Sequence, residues 1–378
     1  MAYDKIVDSS VLDAGLTKVA DAIRTKGNTT GSLAFPDGMT SAIAAITTGE
    51  SSSDELTAFL KGVIDRTTTA TQLPSELSGI TTIGPYAFAN CLSLALTSLP
   101  SGITTIGRLA FTACAQLALT SLPSGVTSIG QSAFQSCSKL AFTSLPSGIT
   151  TIEQSAFSGC TKLALTSLPD GITKITPSVF YNCTSLALTS LPAGVTSIAN
   201  YAFYKCSNLA LTSLPSGLTS IEQSAFVDCT KLALTSLPDG LKTVGQYVFE
   251  YCASLALTSL PNGITSIGGS AFQGCSKMAL TSLPSELTSI ASYAFDNCTS
   301  LALTSLPSKI KTIGSYAFRN CTGLKTITFE GTPTSINSTT FRGCTNLTTI
   351  NVPWAEGAVS NAPWGATNAT INYNYTGE

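Results

Sequence analysis

Twelve cysteines are the first residues in this chain that could do chemistry: positions 91, 114, 137, 160, 183, 206, 229, 252, 275, 298, 321 and 344, every interval being 23. Thiolates ligate metals, exchange disulfides and act as nucleophiles. Each role needs partners that are missing. The chain has 0 histidines, which removes Ser-His-Asp and Cys-His catalysis, the histidine-containing zinc sites and imidazole proton shuttles. No closely paired cysteines of the zinc-binding kind, phosphate loop or EF-hand ligand run appears. Acidic residues such as Glu153, Glu222 and Asp296 stand singly and read as solvated surface charges. No catalytic residue, metal ligand set or cofactor can therefore be named, and an enzyme is not expected. An even cysteine count invites a disulfide framework. Parallel Cβ vectors about 4.8 Å apart in a stack do not converge to the roughly 3.8 Å that a disulfide needs. The expectation is a buried file of free thiols.

The tyrosines are the other candidates. Tyr86, Tyr201, Tyr247, Tyr293 and Tyr316 each lie two residues before a recurring Phe, where other units have Ser. Tyr181 and Tyr204 follow the Phe directly, as do Glu250, Arg319 and Arg342, and Tyr251 lies one further on. Tyr and Ser together suit an adaptable recognition surface. These rings either shield the edge of the Phe column or face a ligand.

The elements that position these residues come from the 23-residue period itself. A Phe stands three residues before every cysteine, from Phe88 to Phe341, and ten units carry Leu-Pro at one offset, from Pro100 to Pro307. A fixed period with recurring Leu, Ile and Phe is the mark of a repeat solenoid, because one coil cannot bury its apolar side alone. Leu94, Leu96, Leu99, Ile103, Ile106, Ala110, Phe111 and Cys114 are one coil's expected core. The Leu-Ala-Leu-Thr-Ser-Leu-Pro segment reads as a short β-strand that leaves through a turn, since Pro has no N–H for a ladder. That places Thr97 to Thr304 in a ladder on a flat β face. Ala-Phe-x-x-Cys reads as one helical or 3₁₀ turn on the opposite side.

These residues resemble the BspA-like leucine-rich repeats, whose unit runs Cys-x-x-Leu-x-x-Ile-x-Ile-Pro and then Ile-Gly-x-x-Ala-Phe-x-x-Cys. Cys344, Leu347, Ile350, Val352 and Pro353 fit closely, while the internal coils depart with Leu96 and Thr97. The resemblance spans about residues 73–353 and implies a right-handed curved solenoid with a binding or adhesion role.

The ends are expected to cap this core. Residues 51–72 read as a capping helix, with a capping box at Ser52 to Glu55 and an apolar face of Leu56, Phe59, Leu60, Val63 and Ile64. Residues 354–378 hold both tryptophans and the alternating Ile371-Asn-Tyr373-Asn-Tyr375, read as a last strand. Residues 1–50 form a separate helical attachment or oligomerisation segment, with Leu12, Leu16, Val19 and Ile23 on one face of its first helix. Val7-Asp-Ser-Ser, Leu12-Asp-Ala-Gly-Leu16, Ala20-Asp-Ala-Ile23-Arg and Ser32-Leu-Ala-Phe-Pro36 are similar to segments of phage and prophage tail-associated proteins of Gram-positive gut bacteria. Asn351-Val-Pro-Trp354 and Ala362-Pro-Trp364 are similar to ends of repeat proteins from the same sources.

That second resemblance implies a virion structural protein: a fibre-like adhesin held to other virion proteins through residues 1–50, present as a homo-oligomer, and binding a bacterial or host surface protein or glycan through the solenoid. The alternative is a bacterial BspA-like cell-surface adhesin. Met1 is followed by no basic stretch and apolar core of a secretion signal, which favours assembly in the host cytoplasm. Charged residues are only 11% and the net charge is −2, so neither nucleic acid nor an anionic membrane is an expected partner. No run approaches about 18 apolar residues, so no membrane insertion is expected.

Overall fold

The structure, a computed structural model, describes residues 54–377. The proposed attachment helix bearing Leu12, Leu16, Val19 and Ile23 lies outside the described residues, as does Ser52. The chain divides after Leu165 into two units.

The first unit opens with helix α1, Asp54–Ile64. Its face of Leu56, Phe59 and Leu60 is buried. Arg66 then takes a positive φ of 58°, and the N–H groups of Thr67 and Thr68 both return to Gly62 O, which ends the helix in a left-handed cap. Phe59 meets Phe88 edge-on at 6.1 Å, and Val63 O accepts from Cys91 Sγ at 3.8 Å. The helix thus supplies the ring and the carbonyl that a preceding coil would. A 3₁₀ turn, Ser75–Leu77, leads into four two-residue parallel strands: β1 (Thr82–Ile83), β2 (Thr105–Ile106), β3 (Ser128–Ile129) and β4 (Thr151–Ile152).

The second unit carries three parallel sheets. Strands β5 (Lys174–Ile175), β6 (Ser197–Ile198) and β7 (Ser220–Ile221) form one. Strands β8 (Thr243–Val244), β9 (Ser266–Ile267), β10 (Ser289–Ile290), β12 (Thr312–Ile313) and β14 (Ser335–Ile336) form the next. Strands β11 (Ser305–Leu306), β13 (Thr326–Phe329), β15 (Thr349–Asn351) and β16 (Thr370–Asn372) form the third, on the other side of the coil. Partners in register are 23 residues apart up to β15, as in Ile290↔Ile313 and Thr326↔Thr349.

This corrects two expectations. Leu-Ala-Leu-Thr-Ser-Leu-Pro is not a regular strand in most coils. Leu94 and Leu96 are fully buried, which gives the segment a strand-like alternation. Yet the bond from Ala118 N–H to Leu96 O, repeated from Ala164 to Phe142 and from Ala210 to Leu188, is not extended into a ladder. The ladder runs instead through the Thr-Ile step, and the Thr97 column has no flat β face to occupy. Among the described residues β11, β13 and β15 restore the expected strand; in the coils of β13 and β15 Thr326-Ile327 and Thr349-Ile350 replace the departing Leu-Thr pattern, while β11 pairs with β13 although its coil keeps Leu303-Thr304.

Nor is Ala-Phe-x-x-Cys a helical turn. Leu109 and Ala113 have φ of 55° and 59°, and such left-handed residues interrupt a right-handed helix. The chain makes linked turns whose N–H groups alternate in direction. Leu109, Phe111 and Ala113 donate along the stack to Gln131, Ala133 and Gln135 carbonyls, while Ala110, Thr112 and Cys114 donate within the coil to Gly107, Leu109 and Phe111 carbonyls. The backbone of this segment is therefore satisfied without side-chain help.

The core follows from that register. Phe rings stack at 5.1–5.5 Å from Phe88 to Phe157 in the first unit and at 5.3–5.7 Å from Phe180 to Phe341 in the second. All twelve cysteines are buried free thiols. Cys114, Cys137 and Cys160 each donate Sγ–H to the Phe carbonyl 26 residues earlier at 3.0 Å. In the second unit Cys206 to Cys344 do the same at 2.9–3.1 Å. The second unit closes with Phe341 N–H on Trp364 O and with Trp354, Trp364 and Phe329 packed at 5.3–6.3 Å. At that edge Asn372 donates to Asn351 at 2.8 Å, and Asn351 to Thr328 at 3.1 Å.

Burial raises the thiols strongly: Cys91 to about 11 and Cys344 to about 12, with those deeper in the file higher still. An unfolded thiol titrates near pH 8.5. The native state thus holds its thiol protons more tightly, so this contribution is whole below that pH and is lost as pH rises through the native values. Unfolding free energies from urea titrations are expected to show little thiol-dependent change up to about pH 7.5. They then fall by up to about 1.4 kcal/mol per pH unit for each thiol that ionises on unfolding. Ellman titration at mild pH is expected to find almost no reactive thiol in the native protein and all twelve in concentrated guanidinium.

Candidate recognition surface

The five sequence-selected tyrosines share one backbone state. Tyr86, Tyr201, Tyr247, Tyr293 and Tyr316 have φ between 57° and 60°, in the column that Leu109, Ser132 and Ser224 occupy elsewhere. A non-glycine residue there carries a steric penalty of about 1–2 kcal/mol. At four of the five the N–H is tied along the stack, Tyr86 to Arg108 O, Tyr201 to Gln223 O, Tyr247 to Gly269 O and Tyr293 to Ser315 O, which offsets that penalty. Tyr201 is exposed, and the other four are half-buried.

The structure does not bring the five into one pocket. It sorts the second unit's tyrosines into three clusters along the turn side. In the first, Tyr181 and Tyr204 stack at 4.8 Å, Tyr201 meets Tyr204 edge-on at 5.9 Å, and Lys205 Nζ lies 5.5 Å from the Tyr204 ring centre. In the third, Tyr293 and Tyr316 stack at 5.1 Å, and the Arg319 guanidinium lies 5.3 Å from each ring. Arg319 also grips Asp296 with two hydrogen bonds, Nε to Oδ1 at 2.7 Å and Nη2 to Oδ2 at 2.6 Å. Between these two clusters Tyr247, Glu250 and Tyr251 share one turn, with the Glu250 N–H on Tyr247 O at 3.3 Å. In the first unit Tyr86 is covered by Arg108 at 5.7 Å.

Asp296 is thus corrected: its side chain is 0% exposed and ion-paired, not a solvated charge. Glu153 and Glu222 are exposed as expected, but each accepts a backbone N–H from the preceding coil, Gln131 at 2.8 Å and Asn200 at 3.1 Å. Sequence reasoning missed the Asp296–Arg319 pair, whose signal was opposite charge at a separation of 23. Glu286 and Lys309 repeat that signal as an exposed pair. Among the described residues no three of His, Cys, Asp and Glu come together as a metal site would need, and no helix is long and apolar enough to cross a membrane.

The model of the BspA type leucine rich repeat region matches residues 67–187, 173–300 and 242–361. Among solved structures, the chain is similar to a leucine-rich cell surface protein of Faecalibacterium prausnitzii A2-165. Identity is 27%, the TM-score is 0.50, and the match covers 77% of this chain and 87% of that one. A leucine-rich repeat protein of Bacteroides ovatus ATCC 8483 shares the fold at 23% identity and a TM-score of 0.52, covering 82% of this chain and 84% of that one. No curated protein matches.

Removing Arg319 would leave Asp296 buried and unpaired. The Arg319 side chain is 32% exposed, so water moderates the loss. Arg319→Ala is expected to cost about 2–3 kcal/mol in chemical denaturation, and adding Asp296→Ser to it is expected to recover most of that loss.

Proposed function

This chain belongs to the BspA-type leucine-rich repeat family, and from that premise we propose that it is a bacterial cell-surface binding protein whose solenoid presents the turn side to a protein or glycan. The observation that carries the reading is the contrast between its faces. Ten coils repeat Thr-Ser-Leu-Pro unchanged, which offers a partner only a monotonous surface. The turn side varies from coil to coil and gathers eight of the eleven tyrosines. Exposed aromatic rings flanked by charge are what recognition surfaces use. The similarity to a leucine-rich cell surface protein of Faecalibacterium prausnitzii supports the surface setting. The comparisons give no support to the virion reading and favour the adhesin reading over it. Residues 1–50 would serve the surface protein as its attachment or self-association segment. Weak contacts at single clusters would add up through many copies on one cell.

Antibody labelling tests the setting. Intact cells of the source bacterium are expected to bind antibody against the solenoid and to lose that signal after brief protease treatment. Signal confined to purified phage particles would overturn the reading. Binding is tested on the turn side itself. Tyr247→Ser with Tyr293→Ser uses a residue native to that column in other coils, so folding is expected to persist. Retention of protein-coated beads on the target surface is expected to fall several-fold, and unchanged retention would remove these tyrosines from the site.

A further inference from the structure

Within the second unit the Thr-Ile ladder is interrupted at one place: β8 (Thr243–Val244) does not pair with β7 (Ser220–Ile221). At the junctions on either side two N–H groups cross from coil to coil. Thr219 donates to Thr196 O and Glu222 to Ile198 O; Thr265 donates to Lys242 O and Gly268 to Val244 O. The equivalent donors here are Lys242 and Gly245, and among the described residues neither has a backbone partner. Val248 also lacks the bond within the coil that Ala225 makes to Glu222 O and Ala271 to Gly268 O.

The coil is tilted as well. A Cβ placed on Gly245 would lie 4.0 Å from Gln223 N, whereas one on Gly268 would lie 2.7 Å from Gln246 N. On the other flank of the strand the coils close instead. A Cβ on Gly240 would meet Leu218 O at 2.8 Å, against 3.6 Å from Gly263 to Leu241 O. Ile221 is 8% exposed, while Ile198, Ile267 and Ile290 are at 0–1%. The turn side has no gap. Ser224, Phe226 and Asp228 donate to the Gln246, Val248 and Glu250 carbonyls at 2.9–3.1 Å. Phe226 and Phe249 stack at 5.5 Å, and Cys252 Sγ reaches Phe226 O at 3.1 Å.

Two residues account for the break. The Thr104 column is Thr in every coil except at Lys242 and Lys311. A Thr hydroxyl there reinforces the ladder, as Thr219 Oγ1 does to Thr196 O and Thr265 Oγ1 to Lys242 O; Lys242 brings none. Val248 stands in the Ala110 column, its Cγ2 only 3.4 Å from where a Cβ on Gly245 would be, so β-branched bulk sits beneath the strand. Neither change suffices alone. Lys311, in a coil with Ala317, keeps its N–H on Thr288 O at 2.8 Å. Thr340, which has the shape of valine, leaves Asn337 N–H on Ile313 O at 3.1 Å while its own hydroxyl bonds Gly314 O at 3.2 Å. Val179, the other valine of the column, shares its coil with Thr173. Only the coil of β8 joins both changes.

We propose that the β7–β8 junction is a hinge built into the second unit: its strand side opens and closes while the Phe, Cys and turn-bond columns stay joined. Opening is easy there because no ladder bond between the two coils has to be broken first. Tyr201 and Tyr204 lie before the junction and Tyr247 and Tyr251 after it, so opening changes the angle between those rings. The use of that angle rests on the binding role proposed above; the hinge itself rests on backbone geometry.

Amide hydrogen exchange of the full chain, resolved to single residues, reads the hinge without a partner. Lys242, Gly245 and Val248 are expected to exchange about tenfold or more faster than Thr265, Gly268 and Ala271. Phe226 and Asp228, which cross the same junction on the turn side, are expected to stay as slow as Phe249 and Tyr251. Lys242→Thr with Val248→Ala installs the residues most other coils carry, and is expected to slow the three fast amides to the rate of their neighbours. Equal rates at the two junctions would overturn the proposal, as would fast exchange that persists in the double variant. So would fast exchange at Phe226 and Asp228, which would mean that the whole coil unfolds. None of these outcomes bears on the surface reading, and antibody signal confined to phage particles would leave the hinge standing.

Discussion

The bond from a buried cysteine Sγ–H to the carbonyl of the phenylalanine 26 residues earlier joins two columns that would otherwise be separate. A thiol is a weak donor, and its bond adds little energy by itself. Its effect is on register. The Phe carbonyl already accepts the Cys N–H of its own coil, and the thiol of the next coil adds a second bond to the same oxygen. The thiol is small enough to fit beneath the next ring and apolar enough to sit at 0–4% exposure. Serine would bring a stronger donor with a larger desolvation cost, and valine would give up the bond between coils while the carbonyl kept its partner within the coil. Free cysteine meets both demands, which gives the invariant position a structural reason with no need of redox chemistry.

With the backbone bonds made along each unit's stack, side chains on the turn side carry little of the folding burden. From Tyr86 to Tyr316 the left-handed position two before the Phe holds Tyr, Ser or Leu at φ of 52–60°. The one after it holds Asn, Lys, Asp, Ser, Ala, Tyr or Gly. That latitude is what lets one scaffold display aromatic rings and charges at chosen coils. The buried Asp296–Arg319 pair marks the limit of the freedom. There two charges are spent on holding Tyr293 and Tyr316 in place.

The period, the Phe and Cys columns and the apolar set of each coil could be read from the chain, because burial acts on every repeat alike. The strand could not. Leu94 and Leu96 alternate as a strand does, but Thr105–Ile106 is where two backbones pair, and both segments satisfy the same apolar pattern. The left-handed turns were hidden by tyrosine and leucine at Tyr86 and Leu109, residues that rarely take positive φ. The better clue lay in the next such column, where Asn90, Asn182, Asn297 and Asn320 alternate with Gly159, Gly274 and Gly343. Asn and Gly are the residues that visit this region most readily. The tyrosine clusters were legible as a column and not as clusters. Rings 23 residues apart meet only where consecutive coils both supply one, as at Tyr181–Tyr204 and Tyr293–Tyr316.

Sulfur anomalous diffraction tests the stacking most directly. The account predicts two evenly spaced files of sulfur peaks, Cys91 to Cys160 in the first unit and Cys183 to Cys344 in the second, with successive peaks about 5 Å apart, near the inter-strand spacing. Peaks scattered without a common spacing, or fused in pairs at the roughly 2 Å of a disulfide, would contradict it.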